Sequence, residues 1–127
     1  MQRPLIKVVG VSAAGKSTLA ATLEQWGMHA RCTSQEHSYV KDMWQKLHPP
    51  DILIFLHADL GTQLSRRPWG RYTEAGHREE LERLAHALTH ADLVIDTSPM
   101  TKQEVVRTVR RFLDDRHASN AQGNSPN

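Results

Sequence analysis

Residues 10–17 read Gly-Val-Ser-Ala-Ala-Gly-Lys-Ser, and few octapeptides restrict a fold as tightly. Gly10 and Gly15 admit backbone angles that a Cβ obstructs and let the main chain approach a ligand closely. Successive N–H groups can then turn inward as an anion-binding nest. A helix starting near Lys16 adds the positive end of its dipole. Such a loop works only between a strand and a helix, and both are legible. Leu5-Ile6-Lys7-Val8-Val9 is β-branched and apolar and reads as a buried strand. From Lys16 to Trp26, Leu19, Leu23 and Trp26 share one helical face, and Gly27 supplies the stop.

The octapeptide fits G-x-x-x-x-G-K-[ST], the Walker A pattern or P-loop. A chance match in a chain this short is roughly a one-in-a-few-hundred event. The pattern assigns each group a task. The N–H groups of Gly10, Val11, Ser12, Ala13, Ala14 and Gly15 line the nest. Lys16 offers a mobile cation to the outer phosphates, and the Ser17 hydroxyl suits Mg²⁺. Thr18 adds an N–H and a hydroxyl for the α-phosphate. Together they predict binding of a nucleoside triphosphate with Mg²⁺.

The remaining chain alternates strand and helix. Met28–Cys32 alternates apolar and polar residues, as an exposed strand does, and a polar turn follows over residues 33–38. Val40, Met43, Trp44 and Leu47 have helical spacing, ended by Pro49-Pro50. Ile52–Leu56 is an apolar run typical of a strand buried on both faces. A short helix over residues 60–67 stops at Pro68, and residues 69–73 form a loop. The stretch 74–90 predicts a helix burying Leu81, Leu84, Ala85 and Leu88, followed by a buried strand at Leu93-Val94-Ile95. Thr101 and Glu104 form a capping box for a final helix facing inward through Val105, Val109 and Phe112. Residues 117–127 are small and polar without periodicity, which predicts a disordered tail behind a nucleotide-binding domain over residues 1–116.

This alternation implies an α/β protein with a parallel sheet of about four strands and right-handed crossovers. Ligands of such sheets bind beyond the carboxyl ends of the strands. That rule gathers the loop, Gln35-Glu36-His37, His57-Ala58-Asp59 and Asp96-Thr97-Ser98 on one rim. Composition limits the partners. Sixteen Lys and Arg against fourteen Asp and Glu leave a formal charge of +2, so bulk charge does not indicate nucleic acid. Cys32 is the only cysteine, which excludes an internal disulfide and fits a reducing compartment. Met1-Gln2-Arg3-Pro4 leads directly into the first strand without a leader, and no apolar run approaches the roughly 20 residues of a membrane span. The expectation is a cytoplasmic protein with no membrane partner.

With these motifs in place, the chain resembles the P-loop kinases of small metabolites, the group of shikimate, adenylate and nucleoside kinases. The similarity runs from Lys7 to about Leu113. Pro50–Asp59 followed by Arg66-Arg67 is similar to the kinase strand leading into an arginine-bearing lid. Ala91–Thr97 with its amphipathic helix resembles the closing strand and helix. The resemblance implies a three-layer P-loop fold, ATP and Mg²⁺ as cofactors, and a small-molecule phosphate acceptor. Those kinases have five core strands and a Walker B-type carboxylate. Here a whole strand-helix unit is missing between the second strand and the lid region, which gives the sheet order 2-1-3-4. If Ile52–Leu56 were the Walker B strand, Asp59 would be its acid and the order would be 2-3-1-4.

The resemblance assigns Glu36 to the acceptor or base position, against a plain turn carboxylate; its neighbour His37 could relay a proton near neutral pH, against a solvent-facing histidine. Asp59 reaches Mg²⁺ through water or caps a helix, and Asp96 has the same two readings. Arg66, Arg67 and Arg71 flank a loop that could clamp phosphates. Lys16, Glu36 and Arg67 are the catalytic candidates, with Ser17 and Asp59 for metal. His86 and His90 are four residues apart on a helix but lack the further ligands of a zinc pattern. Two functions remain open: an ATP-dependent phosphotransferase, or a minimal nucleotide-binding ATPase module that signals to a protein partner. The truncated acceptor region favours the second and the Glu36-His37 turn the first. No guanine-reading N-K-x-D is present.

Overall fold

The computed structural model describes residues 3–123, with side chains to Ser119. The chain alternates β1 (Leu5–Gly10), α1 (Lys16–Gln25), β2 (His29–Cys32), β3 (Ile52–His57), α2 (Leu60–Arg66), α3 (Glu74–His90), β4 (Leu93–Asp96) and α4 (Lys102–Gly123). All strand pairs are parallel, and the sheet order is β2-β1-β3-β4. The order 2-1-3-4 expected from the missing unit is therefore the observed one. β1 and β3 are central, and buried side chains run along both. Their β-branched and apolar sequences are what strands covered on both faces need.

β2 is an edge, with only Ala30 buried. β4 is the other edge, where the expected buried strand is only half covered: Ile95 is buried while Val94 is exposed. Two aspartates fix the register where the strands begin. Asp51 accepts the Leu5 N–H at 2.7 Å and Asp92 that of Leu53 at 2.8 Å. α1 packs on β1 and β2 and touches α4, whereas α3 packs on β1 and β3. Val105, Val109 and Leu113 form the buried line of α4. Among the described residues, no helix is long and apolar enough to cross a membrane.

Three further elements differ from expectation. The helix foreseen over Val40–Leu47 is one 3₁₀ turn, Met43–Gln45, preceded by another at Gln35–His37. Only Trp44 is buried there, while Leu47 is 94% exposed with φ +67°. Gln35 breaks the helix by satisfying the backbone itself. Its side-chain oxygen accepts the Trp44 N–H at 2.8 Å and its amide donates to the Val40 carbonyl at 2.8 Å. The buried stripe of α3 is Glu80, Leu84 and Ala87, rotated from the expected one so that Ala85 and Leu88 face outward. α4 continues through His117 to Gly123, where an unstructured tail was expected. Arg116 pairs with Asp92 at 3.4 Å and holds the helix beyond its apolar face. Residues 124–127 lie outside the described residues.

Candidate functional site

β1 feeds directly into the glycine loop. A Cβ on Gly10 would collide with the Leu56 carbonyl of β3, and the Val11 N–H donates to that same carbonyl at 3.3 Å. The first glycine is thus required by a backbone crossing. Gly15 caps α1 in the left-handed region at φ +102° with open space around it. Ala13 is left-handed at φ +64° without being glycine, a conformation that persists only when neighbours enforce it. Arg66 does so, donating to the Ala13 carbonyl at 2.9 Å.

No side chain caps α1. Its first bond runs from Leu19 N–H to the Gly15 carbonyl at 3.0 Å, so the N–H groups of Lys16, Ser17 and Thr18 have no acceptor within the helix. The Ser17 hydroxyl lies 3.8 Å from Cys32 Sγ, on the β2 flank.

Lys16 lies folded back over the loop. Its ammonium donates to the carbonyls of Gly10 and Val11 at 3.0 Å each and to Glu36 Oε2 at 2.6 Å. Glu36 is carried by the turn after β2, which Thr33 ties to β1 through an N–H donated to the Val8 carbonyl at 3.0 Å. The Glu36 side chain is 5% exposed and that of Lys16 11%. Glu36 Oε1 is buried without a hydrogen-bond partner. His37 is largely exposed, with Nε2 3.8 Å from Glu36 Oε2. The sequence expectation that Glu36 stands at the loop is met.

Beside this pair lies a buried polar network that the sequence reading missed. Glu80 of α3 accepts the Ser12 N–H at 3.1 Å and the Ser12 hydroxyl at 2.6 Å through Oε2. Gln63 of α2 donates from its amide to the Ser12 carbonyl at 2.8 Å and to Glu80 Oε1 at 3.2 Å. His77 Nδ1 is 2.9 Å from the Gln63 side-chain oxygen. Glu80 and Gln63 therefore set the shape of the loop from outside it. One signal was available: Glu80 lies four residues before Leu84, a carboxylate on an apolar stripe.

The lid arginines separate into different jobs. Arg66 is locked, donating to Ala13, to the Thr97 hydroxyl at 3.0 Å and to the Thr97 carbonyl at 2.6 Å. Thr97 in turn lies 2.9 Å from the Ala14 carbonyl, so Arg66 and Thr97 fasten the loop to the end of β4. Arg67 is exposed, reaching only the Tyr72 hydroxyl at 3.4 Å, and Arg71 is exposed. Between the loop, Arg66, Arg67 and the start of α4 opens a cleft of about 510 Å³, floored by Leu19, Met100 and Val105. Arg71 does not line it.

Asp59 is the N-cap of α2, accepting the Thr62 N–H at 2.7 Å. That bond, with Ser98 and His57 nearby, holds its carboxyl below the usual range. It lies two residues beyond β3, across β1 from the flank where Ser17 meets Cys32. Asp96 accepts the Ser98 N–H at 3.0 Å and is lowered chiefly by its bonds with Ser98. Both aspartates thus serve local turns.

No protein-family model matches this chain, and no curated protein matches it.

Proposed function

We propose that the chain is a compact P-loop protein of the three-layer kinase type, binding a Mg²⁺–nucleoside triphosphate and transferring its outer phosphoryl group. The observation that carries this reading is the uncapped start of α1. Three N–H groups without helical acceptors lie behind a glycine loop, beside an ammonium whose only charged partner among the described residues is a buried carboxylate. Helix N-termini of this kind bind phosphate through the N–H groups and the dipole together. Lys16 leaves Glu36 for the β- and γ-phosphates, and Thr18 serves the α-phosphate. The donor set fits the ion, because the Ser17 hydroxyl stands at the first turn of α1 as an oxygen ligand. Held by Ser17, Mg²⁺ would supply positive charge to the transferring group. The 510 Å³ cleft, walled by Arg66 and rimmed by Arg67, has the size of a nucleoside pocket. Glu36, released by Lys16, orients the acceptor hydroxyl.

A second reading has its own support. The β2–β3 connection exposes Tyr39, Val40, Met43 and Leu47 together, which suits a protein partner better than a small acceptor. In that reading the chain is a nucleotide-dependent module without an acceptor.

Binding of a fluorescent ATP analogue, compared between the wild type and Lys16→Ala, tests the shared part. Loss of about tenfold or more in affinity is expected; equal affinity refutes the loop's role. ATP consumption across a metabolite panel separates the two readings, since only a kinase shows acceptor-dependent ADP release.

A further inference from the structure

Glu36 and Glu80 reach the loop from different elements, one behind β2 and one on α3. One carboxylate oxygen of each and one ring nitrogen of His37 lie within 4.8 Å of one another. Both glutamates are buried, and His37 opens to solvent. The hydrogen bonding of this trio is incomplete in a specific way. Glu36 Oε2 is taken by Lys16, but Oε1 has no partner. Glu80 Oε2 carries two donors from Ser12, whereas Oε1 has only the Gln63 amide, leaving one lone pair. The charge is incomplete too. Lys16 is within ion-pair distance of Glu36, and every donor to Glu80 is neutral. The Arg83 guanidinium beside them is spent on the Glu36 backbone carbonyl at 3.3 Å and on Glu79 at 3.7 Å, so two buried carboxylate groups have one ammonium between them and room for a further cation.

We propose that Glu36, Glu80 and His37 form a divalent-cation site, distinct from any ion that a nucleotide carries to Ser17. Glu36 is shared: its Oε2 is held by Lys16 at 2.6 Å and stands 3.8 Å from His37 Nε2, and the ion takes this carboxylate beside the ammonium. Two carboxylate oxygens and one imidazole form a mixed oxygen–nitrogen set, which suits Mn²⁺ better than the all-oxygen preference of Mg²⁺. Ligand atoms about 2.1 Å from one ion stand no more than about 4.2 Å apart. The trio therefore closes by a few tenths of an ångström, and the exposed His37 ring is free to make that movement. The open side of the site completes its coordination with water.

The proposal does not rest on nucleotide binding, so its test is done without nucleotide. The full chain, stripped with chelator, is titrated with MnCl₂, and free Mn²⁺ is followed by its electron paramagnetic resonance signal. One ion per chain is expected. His37→Ala, which alters an exposed side chain, should weaken it by about tenfold or more. Glu36→Gln should remove it, and Ser17→Ala should leave it unchanged. An absence of Mn²⁺ binding by the wild type overturns the proposal. Equal binding by His37→Ala, or loss on Ser17→Ala, overturns it as well, since the ion would then belong elsewhere. Circular dichroism of each variant confirms that a loss is not unfolding.

Discussion

Lys16 should matter for folding before any ligand arrives. In the free protein its ammonium neutralises Glu36 at 2.6 Å, with the two side chains 11% and 5% exposed. Lys16→Ala leaves a buried carboxylate with no counter-charge. Breaking a buried pair from one side costs about 3–5 kcal/mol. The lower end, about 3 kcal/mol, applies here because the Lys16 side keeps a path to water. Glu36→Gln differs, because Lys16 keeps the Gly10 and Val11 carbonyls at 3.0 Å each. Its cost is about 1 kcal/mol, that of an ordinary hydrogen bond. Combining the two removes both charges together. The double variant should then lose about 2 kcal/mol instead of the additive 4 kcal/mol, a coupling of about 2 kcal/mol. Urea denaturation in EDTA without nucleotide measures all three, with m values expected to stay constant. In melting experiments Lys16→Ala should fall by about 12 °C, taking about 4 °C per kcal/mol at this size. A Lys16→Ala variant as stable as the wild type, or strictly additive losses, would refute the argument that the loop lysine doubles as a structural counter-ion.

Gly10→Ala should destabilise by about 3 kcal/mol, because its Cβ meets the Leu56 carbonyl, which is backbone and cannot swing away. Gly15→Ala has open space and should cost only the left-handed strain of about 1–2 kcal/mol; equal losses in urea denaturation would contradict this contrast. Burial, then the nearby Arg31 charge, lowers Lys7 below its usual 10.5. The unfolded chain therefore holds the extra proton, and stability should rise with pH from the folded value towards 10.5. Lys7→Met should lose that alkaline rise in a series of melts against pH. Asp59 is lowered below its usual 3.8, so its contribution is present above that pH and is lost as pH falls through the folded value. Asp59→Asn, which retains a capping oxygen, should therefore show a shallower acid limb with little change at neutral pH.

What the sequence made legible was whatever depends on local pattern. The apolar runs of β1 and β3 and the Thr101–Glu104 box follow from spacing, and of the two strand orders the sequence left open the observed one is 2-1-3-4. The box is present as a reciprocal pair, Thr101 N–H to Glu104 at 3.2 Å and Glu104 N–H to Thr101 at 3.1 Å. Spacing misled where one tertiary contact outweighed it. Val40, Met43, Trp44 and Leu47 have a helical period, but Trp44 is gripped by Gln35 and by His86, whose Nδ1 lies 3.0 Å from the indole nitrogen. Burying one tryptophan decided that segment, and its apolar neighbours were left outside. In the site, Gly10, Lys16 and Glu36 were recognisable because a glycine loop and a strand-end rule place them. Glu80 and Gln63 were not, since their partner Ser12 is 68 and 51 residues away in sequence. The arginines illustrate the same limit. Their sequence positions are adjacent, yet Arg66 is a rivet and Arg67 is free at the cleft rim.

The position of β2 at the edge beside β1 explains why Glu36 can reach Lys16 at all. β2 pairs directly with β1, from Leu5 against His29 to Val8 against Cys32. The turn carrying Glu36 therefore begins one strand spacing from the loop. A strand inserted between them would move that turn away by about 4.8 Å, further than a 2.6 Å ion pair can follow. The direct β2–β1 pairing brings the second-strand turn into contact with the loop, where Glu36 meets Lys16. The same strand order sets the turn against α3, where Glu80 meets it from the other side. The charged groups thereby gather around one loop, and the paired burial of Glu36 and Glu80 follows from the topology itself.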